Sequence, residues 1–129
     1  MEKSKLQFSN PHIEKIDFRV NSDEVATNEM PISIEVAVNK NPEANEAIVK
    51  LNLIVGMQDA EKNIVTAIYF EGDIVAEFTW EEDVQNPEKM LKVSGGTVLL
   101  SYIRPILANL TMQAGIKPLH LPFVNFAGK

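Results

Sequence analysis

The stretch Ile64-Val65-Thr66-Ala67-Ile68-Tyr69-Phe70-Glu71-Gly72-Asp73-Ile74-Val75-Ala76-Glu77-Phe78-Thr79-Trp80 decides the fold. Ile64, Thr66, Ile68, Phe70, Gly72, Ile74, Ala76, Phe78 and Trp80 share one side of a two-residue repeat, with Val65, Tyr69, Glu71, Asp73, Glu77 and Thr79 on the other. Successive side chains of an extended chain point to opposite faces, so this alternation predicts one long strand with a continuous apolar face. Gly72 in its middle predicts a bulge or bend. Upstream, Gln58-Asp59-Ala60-Glu61-Lys62-Asn63 reads as a polar turn, preceded by Val49, Leu51, Leu53, Val55 and Met57 with Lys50 and Asn52 between them. Ile32, Ile34, Val36 and Val38 alternate with Ser33, Glu35, Ala37 and Asn39, and an earlier strand runs near Ile16, Phe18 and Val20, beginning as far back as Leu6. Four strands with short polar connections predict an antiparallel meander.

The period changes after Glu81-Glu82-Asp83. Pro87 suits the first turn of a short helix reaching about Val93, with Gly95-Gly96 as its stop. Thr97 then caps a second helix in which Val98, Leu99, Tyr102, Ile103, Ile106, Leu107 and Leu110 form a broad apolar stripe, and Gly115 ends it. Pro105 inside this helix predicts a kink, because proline removes a backbone hydrogen bond. Pro118, Pro122 and the Leu119/Leu121 alternation make the tail from Ile116 extended. The fold class is therefore α+β: a four-stranded antiparallel β-meander followed by a short helix and one long kinked helix, in a single domain spanning residues 1–129.

Composition bounds the chemistry. The chain has 129 residues, 45% of them hydrophobic, enough for a core without covalent staples. It has no cysteine, which removes disulfides, thiolate catalysis and Cys-based metal sites. A net charge of −6 argues against nucleic acid and anionic membrane surfaces as partners, since phosphate affinity comes mainly from Lys and Arg. No apolar window approaches a transmembrane helix, and MEKSKLQFS has no signal-peptide core, so a cytoplasmic location is expected. The charge is unevenly spread: residues 1–88 hold all 18 acids and 7 bases, net −11, whereas residues 89–129 hold 5 bases and no acid. Opposite signs within one small domain point to mutual attraction or to a partner that meets only one part.

No phosphate-binding, dinucleotide or nucleophile-elbow motif occurs, and Ser94-Gly95-Gly96-Thr97 reads as helix punctuation. His12 and His120 have no carboxylate beside them in sequence to make a metal or general-base site. Glu81-Glu82-Asp83 reads as a favourable charge before a helix start, and Met57, Met90 and Met112 as core filler. Neither an enzyme, a cofactor nor a metal is expected. Ile48, Ile54, Val65, Tyr69 and Val75 place apolar groups on the second sheet face, and one helix cannot cover two faces. Oligomerisation or an apolar ligand would cover the remainder.

The segment Ser101 to Phe126, SYIRPILANLTMQAGIKPLHLPFVNF, resembles the corresponding part of the protein-export chaperone SecB family: a helix with a Tyr-x-Arg turn at Tyr102 and Arg104, then Leu110, the pair Leu119 and Leu121, and a terminal Val124-Asn125-Phe126. Glu46 to Thr79 is similar to the family's long β-hairpin, with Gly72-Asp73-Ile74 where the family has Gly-Gly-hydrophobic. The resemblance implies an antiparallel sheet plus helices, assembly as a homo-oligomer (dimer or tetramer), and a non-enzymatic holdase for unfolded polypeptide clients. The alternative is a dedicated partner-binding or regulatory protein with the same fold and no role with the export motor SecA. Groove candidates are Ile54, Tyr69, Val75, Phe78 and Trp80; oligomer-interface candidates are Leu99, Tyr102, Ile103, Arg104 and Leu107, with Arg104 expected to pair with a sheet acid across the layer between subunits. Two departures bear on SecA. The family continues into a second C-terminal helix where this sequence stops at Lys129, and the family's acidic SecA-docking positions align with Lys15, Arg19 and Ile68. Basic or apolar groups do not replace carboxylates facing a cationic partner, so the usual SecA contact is not expected.

Overall fold

In the computed structural model, which describes residues 6–22, 30–59, 61, 64–121 and 126, the alternating segments form one five-stranded antiparallel sheet. Its strands are β1 (Leu6–Phe8), β2 (His12–Val20), β3 (Ile32–Lys40), β4 (Glu46–Val55) and β7 (Ile68–Trp80); β5 (Gln58–Asp59) and β6 (Ile64–Val65) make a small separate hairpin at the expected polar turn. The α+β class and the long C-terminal helix are as expected. The strand order refines the meander: β3, β4 and β7 are consecutive neighbours, but the first strands lie beside the last, with β1 and β2 both paired to the far side of β7. The reason is physical. As an edge, the long apolar β7 would expose a row of unpaired backbone groups, and β1 and β2 in tandem remove that edge.

The register brings apolar residues into rows on one face, with Phe18 and Val55 flanking Phe70, Ile13 and Leu51 flanking Ile74, and Phe8 and Ala47 flanking Phe78. The bulge expected at Gly72 lies instead on β2, where the pairing shifts between Ile13 and Lys15. Gly72 is in register opposite Ile16 and Leu53. A Cβ there would stand 2.8 Å from the Phe70 ring and 3.1 Å from Ile103 Cδ1, so glycine admits the ring and the helix close to the strand.

The two expected helices are one continuous rod: α1 (Pro87–Met90), a wide π-turn over Leu91–Gly95, and α2 (Gly96–Gln113). Asn86 caps its start, accepting from the Lys89 amide. Gly95 and Gly96 hold helical φ of −62° and −60°, so they do not stop the helix, and Thr97 is no cap: its hydroxyl donates back to the Val93 carbonyl at 2.7 Å. These glycines mark close approach, since a Cβ would lie 3.3 Å from Val49 at Gly95 and 3.2 Å from Val36 at Gly96. The helix runs through Pro105 and ends at Ala114, with Gly115 at φ 83° as the expected stop. Leu91, Leu99, Ile103 and Leu107 pack on Leu51, Leu53, Val55, Ile68, Phe70, Ile74 and Phe78, all essentially inaccessible. Burying each large side chain contributes roughly 1.5–3 kcal/mol, which fixes the helix to one face. Among the described residues no helix is long and apolar enough to cross a membrane.

Candidate functional site

The face of the sheet away from α2 is a hydrogen-bonded charge lattice. Glu71 is its hub, accepting from Asn52 Nδ2 at 3.2 Å and the Tyr69 hydroxyl at 3.2 Å and pairing with Lys15 Nζ at 3.2 Å. These donors, Asn52 first and then Lys15, hold the Glu71 carboxyl below its ordinary value, while burial pushes the Tyr69 hydroxyl up. Asn52 also donates to Asp73 at 2.6 Å. Lys50 on β4 reaches Glu14 on β2 at 2.9 Å, so the pair spans the width of β7 at the level of Val75. Each of these two lysines is held above its usual range by hydrogen bonding to its carboxylate.

The structure divides the five groove candidates between two faces. Ile54 and Tyr69 are half-buried within this outer lattice, and Val75, beneath the Lys50–Glu14 pair, is 4% exposed. Phe78 and Trp80 point the other way, into the core under α2. The apolar character expected of the outer face is thus largely sealed by its own polar groups, with Ile48 left exposed. Lys15 and Arg19 lie on this face, Arg19 bonded to Asp17 at 3.1 Å, whereas Ile68 belongs to the buried face. Of the interface candidates, Leu99, Ile103 and Leu107 are consumed by the subunit's own core, and Tyr102 is open to solvent.

Arg104 has a use the sequence reading missed. Its Nε and Nη2 both donate to the Leu121 carbonyl, at 3.1 and 2.7 Å. One turn pair further along α2, the wholly buried Thr111 accepts from the Leu119 amide at 2.9 Å while donating to helix carbonyls. The tail therefore folds back along α2, with Leu119 and Leu121 in the core and Phe126 at the level of Gly96. Pro122, Val124 and Asn125 lie outside the described residues.

An open apolar row lies on the helix side, along the β1–β2 margin of the sheet. Phe8, Ile16 and Val20 are 42%, 41% and 45% exposed there, and Tyr102 of α2 is 43% exposed. Phe8 stacks on Phe78 with ring centroids 5.6 Å apart and meets Tyr102 edge-on at 6.3 Å. Ile16 and Val20 of β2 stay open because α2 crosses the sheet over β4 and β7, and β2 hydrogen-bonds to β7 alone among the described strands. None of Phe8, Ile16 or Val20 was a sequence candidate. Their alternation was readable, but not that β1 and β2 together lie at a margin of the described sheet.

Against this geometry, comparison with solved structures is informative. The Mycobacterium tuberculosis Rv1957 SecB-like chaperone, in complex with a ChAD peptide from the Rv1956 HigA1 antitoxin, superposes with a TM-score of 0.70 at 18% identity, over 94% of this chain and 91% of that one. The fold is SecB-like. A Streptococcus agalactiae protein of unknown function matches at a TM-score of 0.55 and 12% identity, covering 92% of this chain and 97% of its own. By sequence, Uncharacterized protein MJ0357 of Methanocaldococcus jannaschii is 28% identical over 132 aligned positions, 98% of this chain and 83% of that protein. No family model matches the chain.

Proposed function

We propose that this protein is a non-enzymatic, cytoplasmic chaperone that holds extended, non-native polypeptide along the β1–β2 margin. The observation that carries the proposal is the row of Phe8, Ile16, Val20 and Tyr102, about two-fifths exposed, beside β2, which pairs with β7 alone among the described strands. A strand edge offers main-chain hydrogen bonds to any sequence, and alternate apolar side chains of the guest meet the row, so recognition is tolerant. Phe78 and Trp80 act from beneath as its floor; Ile54, Tyr69 and Val75 form a second candidate surface on the outer face. Such a protein acts by binding the unfolded state in preference to the folded one. The peptide bound to the Mycobacterium neighbour supports this reading.

Suppression of aggregation of a chemically unfolded protein at stoichiometric amounts is the test. No suppression, together with no binding to a permanently unfolded client, overturns the proposal. That the neighbour's peptide comes from one antitoxin favours a second reading, a chaperone dedicated to a single partner. A pull-down distinguishes them: one saturable partner for the dedicated protein, many for the general holdase. Assembly belongs to the same proposal. Ser101, Tyr102, Pro105, Asn109 and Met112 make an uncharged exposed side of α2 suited to a second copy, and a monomeric mass by light scattering would remove that part. SecA is not among the proposed partners.

A further inference from the structure

The tail's contacts with α2 are made almost without reference to its sequence. Arg104, the one charged residue in α2, spends two donors on a backbone carbonyl, and Thr111, the one polar residue wholly buried among the described residues, accepts from a backbone amide. Leu119 and Leu121 supply apolar bulk at i and i+2, and His120 between them faces solvent. The spacing is that of an extended chain. Residues 104 and 111 are two helical turns apart, about 10.5 Å, and three extended residues span about 10 Å, so the pair reads the N–H and the C=O at the two ends of an extended tripeptide.

We infer that the Leu119–Leu121 strap is a self-ligand in a second polypeptide-binding slot along α2, and that an incoming extended segment with large apolar side chains at i and i+2 takes its place. The inference rests on the proposed polypeptide binding and adds a site to it, separate from the β1–β2 margin. Backbone bonds and apolar contacts are reproducible by any such guest, which is why displacement needs no special sequence. Tethering gives the strap an effective concentration in the millimolar range, so it yields only to guests that bind well and keeps the slot closed otherwise.

The test uses a fluorescein-labelled synthetic peptide of residues 116–126 and a permanently unfolded client, each titrated against four proteins: the unaltered chain, Leu119→Ser/Leu121→Ser, that variant with Arg104→Gln, and Ala108→Cys/His120→Cys joined by a short bis-maleimide. Ala108 and His120 line one depression beside Arg104, and the chain has no other thiol. The peptide binds the Leu119→Ser/Leu121→Ser protein at least about 10-fold more tightly than the unaltered chain, and Arg104→Gln removes at least about 10-fold, the loss of the charged two-donor contact. Cross-linking abolishes peptide binding and weakens client binding. Equal peptide binding by the unaltered, serine and cross-linked proteins, or none by a folded serine variant, overturns the slot. Should the serine variant not fold, the cross-linked protein decides: client affinity unchanged by the cross-link overturns the slot while leaving the margin reading intact. Peptide binding to the serine variant with no client bound by any protein refutes the chaperone reading and leaves the slot.

Discussion

Replacing Thr111 by valine tests how the tail is held, because valine keeps the shape and removes only the hydroxyl. Oγ1 is the acceptor for the Leu119 amide at 2.9 Å, and Leu119 is itself buried, so the variant strands an N–H away from water. A buried donor left without a partner costs about 1–3 kcal/mol. The hydroxyl's own donation to the Leu107 and Ala108 carbonyls is expendable, because carbonyls inside a helix already accept from the helix backbone. The net expectation is about 2 kcal/mol, roughly 30-fold in the folding constant. Serine, which keeps the acceptor and loses one methyl, costs only about 1 kcal/mol. The order is therefore threonine, serine, valine, with serine above valine where burial of apolar area alone would put valine first. Urea denaturation with matched m-values measures it, and amide exchange at Leu119 locates it. A valine variant as stable as the parent, with Leu119 protection unchanged, would refute the reasoning.

Gly72→Ala is expected to destabilise by about 1–3 kcal/mol through the Phe70 and Ile103 contacts, less the ~0.5–1 kcal/mol that alanine gains over glycine, and Ile103→Val in the same chain recovers part of it in thermal melts. Glu71 binds its proton more weakly folded than unfolded, so its contribution is whole above its ordinary 4.5 and fades as pH falls through the depressed value; the stability gap to Glu71→Gln, followed by calorimetry, should shrink on that acid side. A gap independent of pH there would contradict the Asn52 and Lys15 assignment. Phe8→Ser/Ile16→Ser should lower client affinity by at least about 10-fold with little change in melting temperature, since both side chains are already part-exposed; unchanged affinity would remove the margin from the site. Client binding through that apolar row should be insensitive to sodium chloride, and a steep loss with salt would instead place the client on the acidic outer face.

Residue parity along the strands was legible because it is local: the side of Ile68, Phe70, Ile74, Phe78 and Trp80 read from the sequence is the buried side. Strand order was not, because it is settled by which edges must be covered, and the pairing of Phe18 with Phe70 joins residues whose relation no spacing encodes. Gly72, Gly95 and Gly96 were read as a bend and a stop, the common uses of glycine; their role as close-approach points depends on Phe70, Ile103, Val49 and Val36 arriving from elsewhere in the chain. The candidate groove mixed both parities, and the structure separates them. Phe8, Ile16 and Val20 could not be singled out, because an alternating strand looks the same in sequence whether or not a helix lies over it.

The division of charge along the chain acquires a different meaning from the one its signs first implied. Lys15, Arg19 and Lys50 are paired with Glu71, Asp17 and Glu14, so these bases of the acidic part act within the outer face itself. Exposed pairs of this kind add little to stability. Their larger effect is to keep one face polar and the apolar Val75 covered. In the basic part, Arg104 reaches a backbone carbonyl, which carries no net charge, so this guanidinium acts as a directional donor. A lysine has neither the planar fork nor two donors aimed at one oxygen, and would hold the strap less well at the same charge. The sheet thus separates two kinds of surface: a lattice of ion pairs on one side, and on the other an apolar margin and a strap held through backbone and apolar contacts. On the proposed polypeptide-binding reading, that separation leaves a guest's charges unread, since recognition runs through backbone and apolar bulk.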